Sequence, residues 1–144
     1  MKTKYIYIAC RPKQWPKNLL VFAAPLFTFS SDLDIWLYSS ISLIAFCLIS
    51  SSIYLINDSL DIKSDRNHPE KKNRPIASGL ITKKEALFYA GLLIVCSLII
   101  SKTFVNLSLS SVILIYLLIQ LCYCIRLKNE PILDLFCISS GFLL

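Results

Sequence analysis

Long apolar blocks, separated by short polar or basic stretches, dominate the pattern of hydrophobic and polar positions along the chain. Residues 35–56, 87–100 and 105–125 contain no charged side chain, and residues 19–29 form a shorter block of the same kind. Counted with its flanks, each longer block approaches the roughly 20 residues that a helix needs to cross a bilayer. The pattern therefore predicts an all-α integral membrane protein.

The predicted organisation is one domain with about four complete membrane spans and the start of a fifth. Pro16 fits the first turn of span one, and Pro25 is expected to kink that span. Span two is expected to continue as helix through the polar stretch 57–65. Thr82 and Glu85 have the spacing of a capping box at the start of span three. The single domain 1–144 would then contain spans near residues 16–31, 34–56, 84–102, 106–127 and 132–144.

The fifth apolar stretch stops at Leu144. It covers about 14 residues, or about 21 Å of helix, against a hydrocarbon core of about 30 Å. We therefore expect the chain to be the N-terminal part of a larger protein, or to be completed by a second polypeptide.

The basic side chains are distributed unevenly between the two ends of the predicted spans. Fourteen of the fifteen lysines and arginines lie before span one, between spans two and three, or after span four, and Lys102 alone lies on the other side. By the positive-inside rule, the N-terminus and the stretch 57–65 are expected to face the cytoplasm. The net charge of +6 is therefore attributed to the orientation of the chain in the cell membrane, and not to nucleic-acid binding.

Span two ends in three carboxylates and a carboxamide. These belong to Asn57, Asp58, Asp61 and Asp65. On an α-helix, which turns about 100° per residue, the four side chains share one arc of about 100°. Acids this close repel one another unless a cation lies among them, and Mg²⁺ favours a few carboxylates completed by substrate phosphates. The stretch therefore predicts a magnesium site for a diphosphate-bearing donor. The alternative is a solvated helix end whose acids are balanced by Lys63 and Arg66.

Basic and polar side chains near the cytoplasmic mouths of the spans are candidates for substrate binding. They are Arg11, Lys17, Asn18, Arg74, Tyr123 and Lys128. Arg74 is the more specific candidate in the basic loop, because Pro75 stiffens the following backbone and arginine binds phosphate oxygens bidentately. The alternative is that this loop serves only as a topology signal and a contact for anionic lipids. His68 is expected to be an ordinary solvated loop histidine.

Several short motifs together carry a family resemblance. They are R-P-K-Q-W-P-K-N at 11–18, Y-L-I-N-D at 54–58 with Asp61 and Asp65, H-P at 68–69, R-P-I-A-S-G at 74–79, and Tyr123 with L-K at 127–128, Pro131 and Asp134. The chain resembles the first half of a UbiA-superfamily polyprenyl transferase, and more closely the decaprenyl-phosphate phosphoribosyltransferase branch. The aspartate motif carries the resemblance to the superfamily. The first motif, and the loop that contains the third and fourth motifs, favour the phosphoribosyl branch.

The resemblance implies a nine-span helical bundle in which two aspartate-rich motifs bind Mg²⁺ and present a diphosphate substrate. In that branch the donor is 5-phosphoribosyl diphosphate and the acceptor is a polyprenyl phosphate within the bilayer. By similarity, the four residues that end span two are first-motif metal ligands, and the basic candidates contact phosphate or ribose. The second aspartate-rich motif and the later spans are absent from these 144 residues.

Two alternatives stay open from the sequence. The first keeps the fold but uses a prenyl diphosphate donor and an aromatic acceptor. The second is a non-catalytic membrane fragment or subunit that retains the helical scaffold. Donor preference would distinguish the first alternative, and the reading frame downstream would distinguish the second.

Overall fold

The computed structural model describes residues 2–125, and every regular element within this range is helical. The elements in order are α1 (Lys2–Ala9), a 3₁₀ helix (Pro12–Phe22), α2 (Ala23–Phe27), α3 (Leu33–Leu60), α4 (Ile62–Asn67), a second 3₁₀ helix (Lys71–Asn73), α5 (Lys83–Phe104) and α6 (Leu107–Ile125). Helices α3, α5 and α6 are long and apolar enough to cross a membrane. The chain is thus an all-α membrane helix bundle, as predicted.

Predicted spans two, three and four correspond to α3, α5 and α6, with bounds shifted by a few residues. Helices α3 and α5 run antiparallel, because Leu55 packs with Ala86 and Ala90 while Ser97 Oγ donates a hydrogen bond to the carbonyl oxygen of Ala45 (2.8 Å). The predicted fifth span, 132–144, lies outside the described residues.

The segment predicted as a first span, residues 16–31, does not form one long α-helix in this structure. The segment forms the 3₁₀ helix Pro12–Phe22 and the five-residue helix α2, and neither is among the three helices able to span a membrane. Pro16 and Pro25 have no amide hydrogen, so neither can donate the backbone hydrogen bond of an α-helix interior. The apolar block at 19–29 therefore does not become one long helix.

Side-chain hydrogen bonds hold this segment along α3. The Trp15 indole donates to Ser51 Oγ (3.0 Å), and the Asn18 carboxamide donates to Ser50 Oγ (3.2 Å). Polar pairs inside an apolar environment strongly favour the geometry that satisfies them, because an unpaired donor there is costly. The pairing holds the first 3₁₀ helix against the C-terminal half of α3.

The expectation that span two continues as one helix through 57–65 needs a small correction at Asp61. The ψ angle of Asp61 is 10°, against about −42° in an α-helix, so α3 ends at Leu60 and α4 begins at Ile62. The Asp61 amide still donates to the Asn57 carbonyl (3.0 Å), and the Asp65 amide donates to the Asp61 carbonyl (2.8 Å). Both are hydrogen bonds between residues four apart, so the helical hydrogen-bond pattern continues across the break at Asp61.

We call the end of the bundle where α3 ends and α5 begins the motif end. One buried apolar cluster joins α1, α3, the loop and α5 there, and consists of Ala9, Cys10, Leu55, Ile76, Ile81, Ala86 and Ala90. The predicted capping box is confirmed: Thr82 Oγ1 accepts from the Glu85 amide (3.2 Å), and Glu85 Oε2 accepts from the Thr82 amide (2.9 Å). Gly79 has a φ of +83°, which glycine adopts readily, and it allows the preceding turn.

Candidate functional site

Two arginines and two aspartates form an ion-pair cluster at the motif end. Asp58 Oδ1 accepts from Arg11 Nη2 (2.5 Å) and from Arg74 Nη1 (3.2 Å), and Arg74 Nη1 also donates to Asp65 Oδ2 (2.8 Å). The side chains of Asp58 and Asp65 are 2% and 4% exposed, whereas those of Arg11 and Arg74 are 28% and 25% exposed. The acids are therefore buried behind a partly accessible layer of guanidinium groups.

Each member of the cluster comes from a different part of the chain. Asp58 lies in the last turn of α3, Asp65 lies in α4, and Arg74 follows the second 3₁₀ helix and precedes the buried Pro75. Arg11 sits between α1 and the first 3₁₀ helix. The site thus depends on the packing of α1 and of the loop against the end of α3.

Arg11 adopts an unusual backbone conformation for a residue with a side chain. Its φ and ψ are 51° and 60°, in the left-handed region that non-glycine residues seldom occupy. Its guanidinium carbon lies 4.8 Å from the centroid of the Tyr54 ring, within the range of a cation–π contact. The turn and the ring together direct the guanidinium towards Asp58.

The alternative in which Lys63 and Arg66 balance the acids does not describe this cluster. Lys63 is exposed, and Arg66 Nε donates to the carbonyl oxygen of Ala77 (2.9 Å). The paired cations are instead Arg11 and Arg74. Buried carboxylates require such partners, because an isolated charge in a low-dielectric interior is highly unfavourable.

A pocket of about 340 Å³ opens beside the cluster. Its lining residues are Ile8, Ala9, Arg11, Asp58, Glu70, Asn73, Arg74 and Pro75. The volume is at the lower end of the range typical of small-molecule sites, about 300 to 1,000 Å³. Guanidinium groups form strong, often bidentate hydrogen bonds with phosphate oxygens, so the pocket suits an anionic ligand.

The chemistry of the predicted metal ligands fits Mg²⁺, because carboxylate and carboxamide oxygens are hard donors. Asn57 and Asp61 are half-buried at the end of α3, next to the buried Asp58 and Asp65. Within residues 2–125, however, no group of three His, Cys, Asp or Glu side chains is arranged to hold a metal ion. Since arginines bond to the Asp58 and Asp65 carboxylates, metal binding there requires those bonds to be shared or displaced. The ligand set stays a prediction.

The remaining sequence candidates lie elsewhere. Lys17 is exposed on the first 3₁₀ helix, and the Asn18 carboxamide bonds to Ser50, eight residues before Asp58 and thus about 12 Å away along the helix. Tyr123 is half-buried against a second apolar cluster formed by α3 and α6. Lys128 lies outside the described residues. The structure therefore brings together Arg11, Arg74, Asp58 and Asp65, and it places Asn18 in a hydrogen bond to α3 instead.

Sequence reasoning missed three contributors to this site. Tyr54 lies under Arg11, and Glu70 and Asn73 line the pocket. The only signal in the sequence is proximity, because Glu70 and Asn73 precede Arg74 by a few residues. His68 is exposed, as expected, but its Nδ1 also accepts hydrogen bonds from backbone amides of the loop.

The model of the UbiA prenyltransferase family matches residues 18–144. The chain belongs to the UbiA prenyltransferase family. The match includes α3 with its aspartate motif, the loop that carries Arg74, and both later membrane helices. Arg11 precedes the matched region, although it contacts Asp58 directly.

Several curated relatives of this UbiA-family chain carry transferase names. It is 46% identical over 141 residues to a decaprenyl-phosphate phosphoribosyltransferase of Mycolicibacterium smegmatis, and the alignment covers 94% of this chain and 44% of the relative. It is 40% identical over 144 residues to a protein of the same name from Corynebacterium glutamicum, covering 94% and 42%. A 4-hydroxybenzoate octaprenyltransferase of Aliivibrio fischeri is 33% identical over 100 residues, covering 68% and 33%. The chain spans less than half the length of these relatives.

Proposed function

We propose that this chain supplies the donor-binding part of a membrane transferase that moves 5-phosphoribose from phosphoribosyl diphosphate to a polyprenyl phosphate. The observation that carries the proposal is the cluster in which Arg11 and Arg74 meet Asp58 and Asp65 beside a pocket. Such a cluster combines phosphate-binding cations with oxygen donors suited to Mg²⁺. The names of the two phosphoribosyltransferase relatives support this choice of donor and acceptor.

In this proposal the aspartate motif and the arginines bind different parts of the donor. The residues Asn57, Asp58, Asp61 and Asp65 are the Mg²⁺ ligands of the first motif. When bound, Mg²⁺ neutralises the charge that develops on the departing diphosphate. Arg11 and Arg74 exchange their bonds to Asp58 and Asp65 for bonds to phosphate oxygens. The exchange keeps the charges of the two arginines and of the two buried aspartates paired before and after the donor binds.

The transfer itself is a substitution at the anomeric carbon of the ribose. An oxygen of the polyprenyl phosphate forms the new bond to this carbon as the bond to the diphosphate oxygen breaks, and diphosphate leaves with the electron pair. Because the attacking phosphate is already anionic, the step needs no general base. The contribution of the chain is to orient the donor and to stabilise the charge on the leaving group.

The second candidate is a prenyltransferase that uses a prenyl diphosphate and an aromatic acceptor. The match to a 4-hydroxybenzoate octaprenyltransferase favours it, although at lower identity and over a shorter part of the chain. Both candidates use a diphosphate donor, so the ion-pair cluster alone does not distinguish them.

The experiment compares labelled phosphoribosyl diphosphate and labelled prenyl diphosphate as donors to the full-length protein with Mg²⁺, in lipid vesicles that contain polyprenyl phosphate and to which 4-hydroxybenzoate is added as aromatic acceptor. We expect label to reach polyprenyl phosphate from the first donor only, and Asp61→Asn to lower the rate by about 10- to 100-fold. Asp32→Asn, at the opposite end of α3, is the matched control. Full activity of Asp61→Asn would remove the metal-ligand role, and product from the prenyl donor alone would establish the second candidate.

A further inference from the structure

Residues 68–74 form an ordered turn at the rim of the pocket. His68 Nδ1 accepts hydrogen bonds from the amides of Glu70 (3.2 Å) and Lys71 (3.3 Å). The Asn73 amide donates to the Glu70 carbonyl (3.2 Å), and the Arg74 amide donates to the Lys71 carbonyl (3.0 Å). These bonds fix the backbone of the turn. In this conformation Glu70, Asn73 and Arg74 all line the pocket.

Glu70 and Asn73 differ from the other polar residues of the pocket in having no side-chain partner. Asp58 is paired with both arginines, but the Glu70 carboxylate and the Asn73 carboxamide make no hydrogen bond or ion pair within the part of the chain that the structure describes. Both groups therefore keep their full hydrogen-bonding capacity beside Arg11 and Arg74.

A free carboxylate is unfavourable in a site that binds only a diphosphate, because like charges repel. It becomes favourable when the ligand also carries hydroxyl groups, since a carboxylate accepts strong hydrogen bonds from O–H donors. A carboxamide can donate to one hydroxyl and accept from another. A pentose has neighbouring hydroxyls, whereas a prenyl chain has none.

We propose that Glu70 and Asn73 bind the hydroxyl groups of a pentose diphosphate and thereby select it against a prenyl diphosphate. This inference rests on the proposed function, and it assigns donor selectivity to the turn 68–74 rather than to the aspartate motif. Sites that hydrogen-bond a substrate hydroxyl discriminate strongly against analogues without it.

The experiment measures equilibrium binding of phosphoribosyl diphosphate and of inorganic diphosphate to the full-length protein in detergent with Mg²⁺. We expect Glu70→Gln and Asn73→Ala each to weaken binding of phosphoribosyl diphosphate about tenfold. Binding of inorganic diphosphate should not weaken in either variant, and it should tighten in Glu70→Gln, which removes a negative charge. Lys72→Gln is the matched control, because Lys72 is exposed in the same turn and does not line the pocket.

The two ligands separate the failure of this inference from that of the proposed function. The role of Glu70 and Asn73 would be overturned if the substitutions weakened the binding of both ligands equally, or if neither changed the affinity for phosphoribosyl diphosphate. Either result would leave a diphosphate site in place. Failure of the unaltered protein to bind either ligand would overturn the diphosphate site itself, and the inference with it.

Discussion

At the scale of single residues, Asp58 is the centre of the site. It is almost fully buried and accepts hydrogen bonds from two arginines that approach from different segments. Removing one partner of a buried pair is more damaging than removing both, because the remaining charge loses its compensation. The contribution of Arg11 should therefore depend on the presence of the Asp58 charge.

We expect Arg11→Gln to lower the free energy of unfolding by about 1–3 kcal/mol. The loss is smaller than for a buried carboxylate left with no cation, because Arg74 still pairs with Asp58. The same substitution in an Asp58→Asn background should cost clearly less, since no buried charge is left unpaired. Denaturant unfolding in detergent of the four proteins of this double-mutant cycle measures the coupling. Lys13→Gln, which removes an exposed cation from the same segment, is the control. Additive effects of Arg11→Gln and Asp58→Asn would contradict the coupling.

The spacing predicted four polar side chains on one side of the helix, and it did not predict the partners that Asp58 and Asp65 have in the structure. Asp58 and Asp65 do bond to the same arginine, even though the helix breaks at Asp61. Arg11 lies 47 positions from Asp58, and its approach depends on how α1 packs. Local periodicity contains no information about such a long-range contact.

At the scale of elements, the turn 68–74 organises one side of the pocket through His68. Asparagine can place an acceptor oxygen near the position of Nδ1, whereas glutamine places its amide near that of Nε2. We expect His68→Asn to retain slow hydrogen exchange at the amides of Glu70 and Lys71, and His68→Gln to accelerate it. Exchange measured by mass spectrometry on peptides covering 68–74 tests this expectation.

The same two variants connect the turn to ligand binding. Because Arg74 is the last residue of the turn, His68→Gln should also weaken the binding of inorganic diphosphate several-fold, while His68→Asn should retain most of it. Equal exchange and equal affinity in the two variants would mean that the Nδ1 contacts do not hold the turn. The segment 83–104 provides an internal reference, since its exchange should not change.

The sequence was most informative about elements whose cause is local. The three long helices follow from apolar length, and the start of α5 follows from the Thr82 and Glu85 pair. The conformation of the segment 16–31 could not be predicted in this way, because apolar composition does not reveal that Asn18 bonds across to Ser50, or that the chain there forms a 3₁₀ helix. Its prolines were noted, but they were interpreted as a kink within a span.

At the scale of the whole molecule, the charges and the apolar surfaces divide the bundle into distinct regions. The cations of α4 and the loop lie at the motif end, as do Lys2, which pairs with Glu85, and Lys13, two residues after Arg11, whereas Lys102 lies near the opposite end of α5. The most apolar stretches of α5 and α6 are only 17% buried, and their exposed side chains are mostly large and apolar. This arrangement suits helices that cross a bilayer with the motif end in the cytoplasm.

Single cysteines at two lysine positions test that orientation. We expect Lys13→Cys to react with a membrane-impermeant maleimide in inverted membrane vesicles but not in intact cells, and Lys102→Cys to react in intact cells. The unaltered protein measures the background from its own cysteines. Cys10 should contribute little, because burial raises the pKa of its thiol and leaves little thiolate to react. Labelling of Lys13→Cys in intact cells would place the motif end outside the cell, where a site for a cytosolic phosphoribosyl donor could not operate.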